Sequence, residues 1–344
     1  MPLASSLRLT VIAALAAALA GAAWAKPAFV PVYKTDFPDP FVIEHGGEFL
    51  AYSTNSGGIN LPMASSSNLV DWRPVMDPAA PSKALDGMPA LAPWVKEGRT
   101  WAPEVMKIGE QWVLYYTAHH RKNDLQCIGV ATASAPRGPF SDTSAQPLVC
   151  QEEIGGTIDA NPFRDNDGSL YLTFKNDGNR LGKPTRIWSQ RLAPDGLSMV
   201  GEPVALLVND RPWEAHVIEA SSMVRTPDGI TLFYSANHYG WETHQRLSPY
   251  SMGYAMCRTP LGPCTDAPEN PILYSYNDRE AGCLSGPGHQ AVFRARGGTF
   301  LAFHAWAATS GCRKADNKRY LYIAPLGWEN GKPVIAPSLR PAGD

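Results

Sequence analysis

Five short apolar runs recur along the chain: EFLAYSTN (48–55), QWVLYYTA (111–118), SLYLTFKN (169–176), ITLFYSAN (230–237) and TFLAFHAW (299–306). Each is rich in aromatic or β-branched residues and too short for a typical helix, so each predicts a β-strand. A glycine-bearing turn precedes every one: HGGE, KIGE, DNDG, TPDG and RARGG. Ahead of each turn stands a second short strand signal, namely PFVIE, EVMKI, NPFRD, SSMVR and QAVFR. A strand–turn–strand hairpin is thus written five times.

The segments that follow the hairpins also repeat. GVATASAPRGPFSD (129–142) resembles GYAMCRTPLGPCTD (253–266), and MASSSNLVDWRPV (63–75) is a shorter version of the same strand, turn and edge. Four-stranded units spaced about 60 residues apart predict an all-β fold, a five-bladed β-propeller. A β-sandwich of irregular hairpins is the alternative. Capped segments of helical period are nearly absent, which argues against a TIM barrel.

Composition agrees with many tight turns: 30 Gly and 31 Pro are scattered through 344 residues. Charge is nearly balanced, at 30 Lys plus Arg against 32 Asp plus Glu, with no block of one sign. That argues against nucleic acid and against an anionic membrane surface as partners. Residues 1–25 carry one Arg, then an apolar run that closes on Ala23-Trp24-Ala25. This reads as a secretory signal peptide, leaving 26–344 as a single propeller domain, secreted or periplasmic. The six Cys fit an oxidising compartment. Sequential pairing is expected: Cys127–Cys150, Cys257–Cys264 across the RTPLGP turn, and Cys283–Cys312. No C-x-x-C points to zinc.

The innermost strands of a propeller surround a central channel, and all begin at one face. Their openings here are Asp39-Pro, Trp101-Ala-Pro-Glu104, Ile158-Asp159-Ala, Ile218-Glu219-Ala and Gly286-Pro-Gly-His289. The expectation is a funnel lined by Asp39, Glu104, Asp159, Glu219 and His289. Crowded acids drive their pKa values apart, which is what a glycosidase needs: one carboxyl protonated, another ionised. Glu104 reads better as a contact between blades than as a catalytic group. Glu214 and Glu242 compete with Glu219, which alone opens a hairpin. Phe37 and Trp101 adjoin the funnel as candidate platforms for a sugar face. Trp72, Trp112 and Trp188 read as blade packing. His119 and His120 are adjacent on a strand end and point to opposite faces, so they are no metal pair. There is no G-x-S-x-G elbow, phosphate loop, dinucleotide fingerprint or H-E-x-x-H.

Taken in order, Phe37-Pro-Asp39-Pro, Trp101-Ala-Pro-Glu104, Ile158-Asp159 before DNDGSLYLTF, Glu219 before MVRTPDGITLFYSAN, and Gly286-Pro-Gly-His289 resemble glycoside hydrolase family 43 over essentially the whole mature chain. The resemblance implies that Asp39 is the general base, Glu219 the general acid, and Asp159 the group that tunes and orients Glu219. It implies inversion, with base and acid about 6.5–9.5 Å apart. It further implies a sugar contact for Arg319, with Arg313 as a rival, and places His289 beneath the sugar. A calcium or similar ion in the channel is a possibility attached to His289, though no cofactor is required. The implied substrates are arabinose- or xylose-containing plant polysaccharides, with α-L-arabinofuranosidase or exo-arabinanase first. β-Xylosidase, endo-arabinanase, action on fructans, and a glycan-binding propeller without catalysis are the alternatives. Two positions depart from the family's usual pattern: Ala follows Asp159 where Pro is usual, and Ala-Ser follows Glu219 in place of Gly-Pro or Ala-Pro.

Overall fold

Five antiparallel sheets follow one another along the chain and form the blades of a five-bladed β-propeller. The computed structural model describes residues 28–337 and 339, apart from 227 and 243, so the expected signal segment lies outside the described residues. Blade I holds Phe41–His45, Glu48–Tyr52, Met63–Ser66 and Arg73–Pro74. Blade II holds Val95–Ile108, Gln111–His120 and Gln126–Ala133, with Ser141 bridging Thr132 at its outer edge. Blade III holds Thr157–Arg164, Leu170–Asn176, Arg186–Leu192 and Met199–Val208. Blade IV holds Ile218–Thr226, Gly229–Ala236, Ser251–Cys257 and Cys264–Asp266. Blade V holds Gly288–Ala295, Gly298–Ala308, Lys314–Glu329 and Lys332–Ile335.

The second strand of each blade explains why the repeated runs are apolar without strict alternation. A sheet in the ring is covered on both faces by its neighbours, so successive residues are buried whichever way they point. In Gln111–His120 every residue after Gln111 is buried. Five hydrophobic clusters fill the five interfaces between blades. Leu50, Tyr52, Trp112 and Tyr116 join I to II. Val113, Tyr115, Leu172 and Phe174 join II to III. Ile187, Leu232 and Tyr234 join III to IV, and Phe233, Tyr254, Phe303 and Tyr322 join IV to V. The last interface, V to I, packs Phe49, Trp72, Phe293 and Ile323. Each such side chain contributes on the order of 1.5–3 kcal/mol by leaving water.

The ring closes through the start of the described chain. The N–H groups of Val32 and Phe37 donate to the carbonyls of Leu321 (2.9 Å) and Arg319 (2.8 Å) in blade V. The three disulfides pair in sequence order, as expected. Cys257 and Cys264 face each other across the outer hairpin of blade IV. Trp72, Trp112 and Trp188 all pack within or between blades. His119 and His120 end a strand, His119 against Asp124 (2.7 Å) and His120 stacked on Trp94.

Candidate active site

Every innermost strand opens with the same backbone device. Asp39, Ala102, Asp159, Ala220 and His289 all have positive φ, between 44° and 59°. None is glycine, so each costs on the order of 1–2 kcal/mol. In blades II to V the strand register shifts at this point, a bulge that re-aims the flanking side chains toward the axis.

A ring of hydrogen bonds holds the device in place. Thr54 Oγ1 of blade I accepts the N–H of Ala102 (2.9 Å), and Thr117 Oγ1 of blade II accepts that of Asp159 (3.1 Å). Ser235 Oγ of blade IV accepts His289 N–H (2.8 Å), and His304 Nδ1 of blade V accepts Asp39 N–H (3.1 Å). Burial, then the Arg319 charge, pull His304 down to about 4, so its ring is neutral and free to accept. Between blades III and IV the acceptor is instead Asp159 Oδ2, which takes Ala220 N–H at 3.0 Å.

This register corrects one expectation. Glu104 lies two residues beyond the bulge residue Ala102 and does not line the funnel. It is buried and accepts a hydrogen bond from Asn161 Nδ2 of blade III (2.6 Å). Asn161 also accepts Met223 N–H of blade IV (2.9 Å), so Glu104 belongs to a contact between blades. Burial pushes its carboxyl well above the usual range.

Above the bulges lies a cavity of about 210 Å³ lined by Asp39, Thr54, Trp101, Ile158, Asp159, Glu219, Tyr239, Tyr250, His289 and Arg319. Six of the seven residues expected from sequence therefore meet there. The seventh, Phe37, does not: it is 2% exposed and packs edge-on against Tyr33 (5.5 Å) in the interface of blades V and I. Larger clefts of about 570 and 550 Å³ lie elsewhere, each with a single acid, Glu97 in one and Glu242 in the other. Arg313 lines the second of these, away from the carboxyl groups. Glu214 is buried as the cap of a short turn, accepting Arg211 N–H (2.9 Å) and Tyr234 O–H (2.8 Å). Glu242 is exposed, beside His238.

The three site carboxyls differ in surroundings. Asp39 is buried, which opposes its charge, but Arg319 (2.9 Å) and then His289 outweigh burial and hold it well below the usual range. Thr54 O–H donates to its other oxygen at 2.5 Å. Glu219 receives Lys175 Nζ on Oε2 (3.0 Å) and Tyr250 O–H on Oε1 (2.8 Å). Burial works against its charge, yet Lys175 and these hydrogen bonds bring it below its ordinary value. Asp159 is pushed up to about 6, by burial first and by Glu219 beside it, against the pull of His289. Asp159 and Glu219 thus compete for charge, and the pair keeps a proton into the mildly acidic range.

A calcium site at His289 finds no side-chain support. Its Nδ1 faces Asp39 Oδ1 at 3.3 Å, and no three His, Cys, Asp or Glu side chains are grouped to hold a metal among the described residues. Calcium wants six to eight oxygens, which this corner does not offer through side chains.

Thr54, Lys175, Tyr239, Tyr250 and His304 were not foreseen. Thr54 and Lys175 sit close to the ends of second strands and His304 lies inside one, where they look like any strand residue. Tyr239 lies in the long loop of blade IV, 47% exposed at the cavity wall, with the Arg319 guanidinium 5.2 Å from its ring centre.

A five-bladed propeller with a small cavity holding one ionised carboxylate and a carboxyl pair that keeps a proton suits acid–base cleavage of a glycosidic bond. Residues 29–333 match the family described as Glycosyl hydrolases family 43, and the chain belongs to it. It is therefore a glycosidase. It is 25% identical over 312 residues to a "Probable arabinan endo-1,5-alpha-L-arabinosidase A" of Aspergillus flavus, covering 86% of this chain and 90% of that one. It is 24% identical to an "Extracellular exo-alpha-(1->5)-L-arabinofuranosidase" of Cellvibrio japonicus, covering 86% and 85%. Among solved structures, a thermostable family-43 glycoside hydrolase superposes with a TM-score of 0.76 at 27% identity, covering 91% of this chain and 97% of that one.

Proposed function

We propose that the protein is an inverting, exo-acting α-L-arabinofuranosidase that removes single arabinose units from arabinan or arabinoxylan. The observation that carries the exo reading is the size of the cavity. At about 210 Å³ it falls below the roughly 300–1,000 Å³ typical of pockets for larger ligands, and it suits one pentose ring. Relatives whose names specify arabinan, arabinoxylan or an arabinofuranosidase support the sugar. Some are described as extracellular, which supports export.

In this reading Asp39 takes a proton from water as the water oxygen attacks the anomeric carbon. The bond from that carbon to the glycosidic oxygen breaks, and Glu219 gives its proton to the departing oxygen. Asp39 then returns its proton to solvent, which its depressed pKa favours, and the pair Asp159/Glu219 regains one. Trp101 and Tyr239 flank the sugar, and Arg319 orients Asp39.

The test is sugar release from arabinan, arabinoxylan and xylan by residues 26–344, with products separated by chromatography and the first-formed anomer read by NMR. Arabinose alone, released as the inverted anomer and absent with Asp39→Ala, is expected. Oligomers would mean endo action, and xylose a xylosidase. No release from any of the three would remove this reading and send the search to fructans and to binding without hydrolysis.

A further inference from the structure

The ring of hydrogen bonds has one irregular station. The residues facing the first bulge position across the hairpin are Thr117, Lys175, Ser235 and His304, opposite Trp101, Ile158, Glu219 and Gly288. Thr54 is their counterpart in blade I, its N–H bonded to Pro38 O (3.1 Å). At four stations this residue accepts the next blade's N–H. Lys175 cannot accept, since an ammonium has donors only. It is also 1% exposed, and a buried Lys persists only with partners. Its ammonium reaches across to blade IV, to Glu219 Oε2 at 3.0 Å, with Asp177 Oδ1 at 3.5 Å. Asp159 fills the vacated acceptor role from its own blade. One substitution in the repeat therefore places a cation on Glu219 and ties the Asp159 carboxylate to the residue after Glu219.

We infer that Lys175 is a positioning residue for Glu219, fixing the orientation of its carboxyl and setting how tightly that carboxyl holds its proton. The inference rests on reading Glu219 as the general acid. The charged and titratable groups around Glu219 are Lys175 and Asp177 from the second strand of blade III and its turn, Asp159 from the first strand of III, Tyr250 from the loop of IV, and His289 from V. Asp39 lines the same cavity and acts on Asp159. Lys175 and His289 favour the anion, Asp159 opposes it, and Tyr250 holds Oε1 as a donor whose own proton is secured by burial. Lys175 stays charged because Glu219, Asp177 and Asp159 together outweigh the cost of its burial.

The sign follows directly. Without the ammonium both Glu219 and Asp159 hold their protons to higher pH, so the basic limb of kcat/KM moves up. The test compares Lys175→Thr, the residue type at this station in blades I and II, with Lys175→Met and the charge-conserving Lys175→Arg. Profiles are taken on linear arabino-oligosaccharides and on a dinitrophenyl arabinofuranoside, whose leaving group needs no proton. Thr and Met variants are expected to shift the basic limb on oligosaccharide upward by about one pH unit, while Arg keeps it near the wild-type position. On the dinitrophenyl glycoside the wild-type basic limb is expected to flatten. An unmoved limb in both neutral variants, or an Arg variant displaced as far as they are, overturns the role of Lys175 and leaves Glu219 as acid. An undiminished wild-type limb on the dinitrophenyl glycoside instead overturns Glu219 as acid, and the inference with it.

Discussion

Two junctions of the ring hold the three carboxyl groups of the candidate site, and they are built alike. At the junction of blades V and I, Asp39 meets Arg319, His289 and His304. At the junction of blades III and IV, Asp159 and Glu219 meet Lys175, with Asp177 beside it. Each has a carboxylate on the left-handed bulge and a cation reaching in from a neighbouring strand. The difference is the ratio. One carboxyl faces Arg319 at the first junction, so it stays ionised. Three share one ammonium at the second, so a proton is retained there. In the proposed mechanism base and acid are thus separated by counting charges within one repeated scaffold, and burial, which is nearly equal for Asp39 and Asp159, does not distinguish them.

The largest expected effect breaks the comparison outright. Asp39→Asn should lower kcat on every glycoside by about 10²–10⁴-fold, the range for a lost general base. Glu219→Gln should do the same on oligosaccharides yet spare the dinitrophenyl glycoside, and steady-state kinetics on both substrates read the split. A smaller effect is expected from Arg319→Met. With its nearest cation gone, Asp39 ionises less readily, so the acidic limb of kcat/KM should move to higher pH while the basic limb stays in place. A pH profile in which both limbs move would mean that the two junctions are electrostatically one.

The smallest change tests the ring itself. Thr54→Val removes the acceptor of Ala102 N–H and the donor to Asp39 together. It should cost about 1–3 kcal/mol of stability, measured by denaturant unfolding, because a buried N–H loses its partner. It should also raise the acidic limb slightly, since the Asp39 anion loses one hydrogen bond.

The five hairpins and the blade order were legible because hydrophobic runs and turn residues are local, whereas the spacing of six Cys allows 15 pairings and does not itself select the sequential one that the structure shows. The convergence of Asp39, Trp101, Asp159, Glu219, His289 and Arg319 followed from their places in the repeat and from the family resemblance. The bulge was not legible. An extra residue inverts the inward–outward alternation, and non-glycine residues at positive φ leave no mark in composition. Hence alternation alone puts Glu104 in the funnel, whereas Phe37, two residues before Asp39 and ahead of the first strand, packs between blades with no local signal to say so. Lys175 stands in LYLTFKN as a polar residue near a strand end. Its meaning emerges only beside Thr54, Thr117, Ser235 and His304, once the register aligns them.

The closing contact also has a consequence for when the enzyme comes into being. Asp39 and its arginine lie 280 residues apart in sequence, and the backbone N–H of Arg319 is itself held by Asp36 Oδ1 at 3.0 Å. A chain emerging N-terminus first carries Asp39 from the outset, but Arg319, the cation beside it, arrives with nearly the last strand. The surroundings of Asp39 are therefore complete only once the circle is joined.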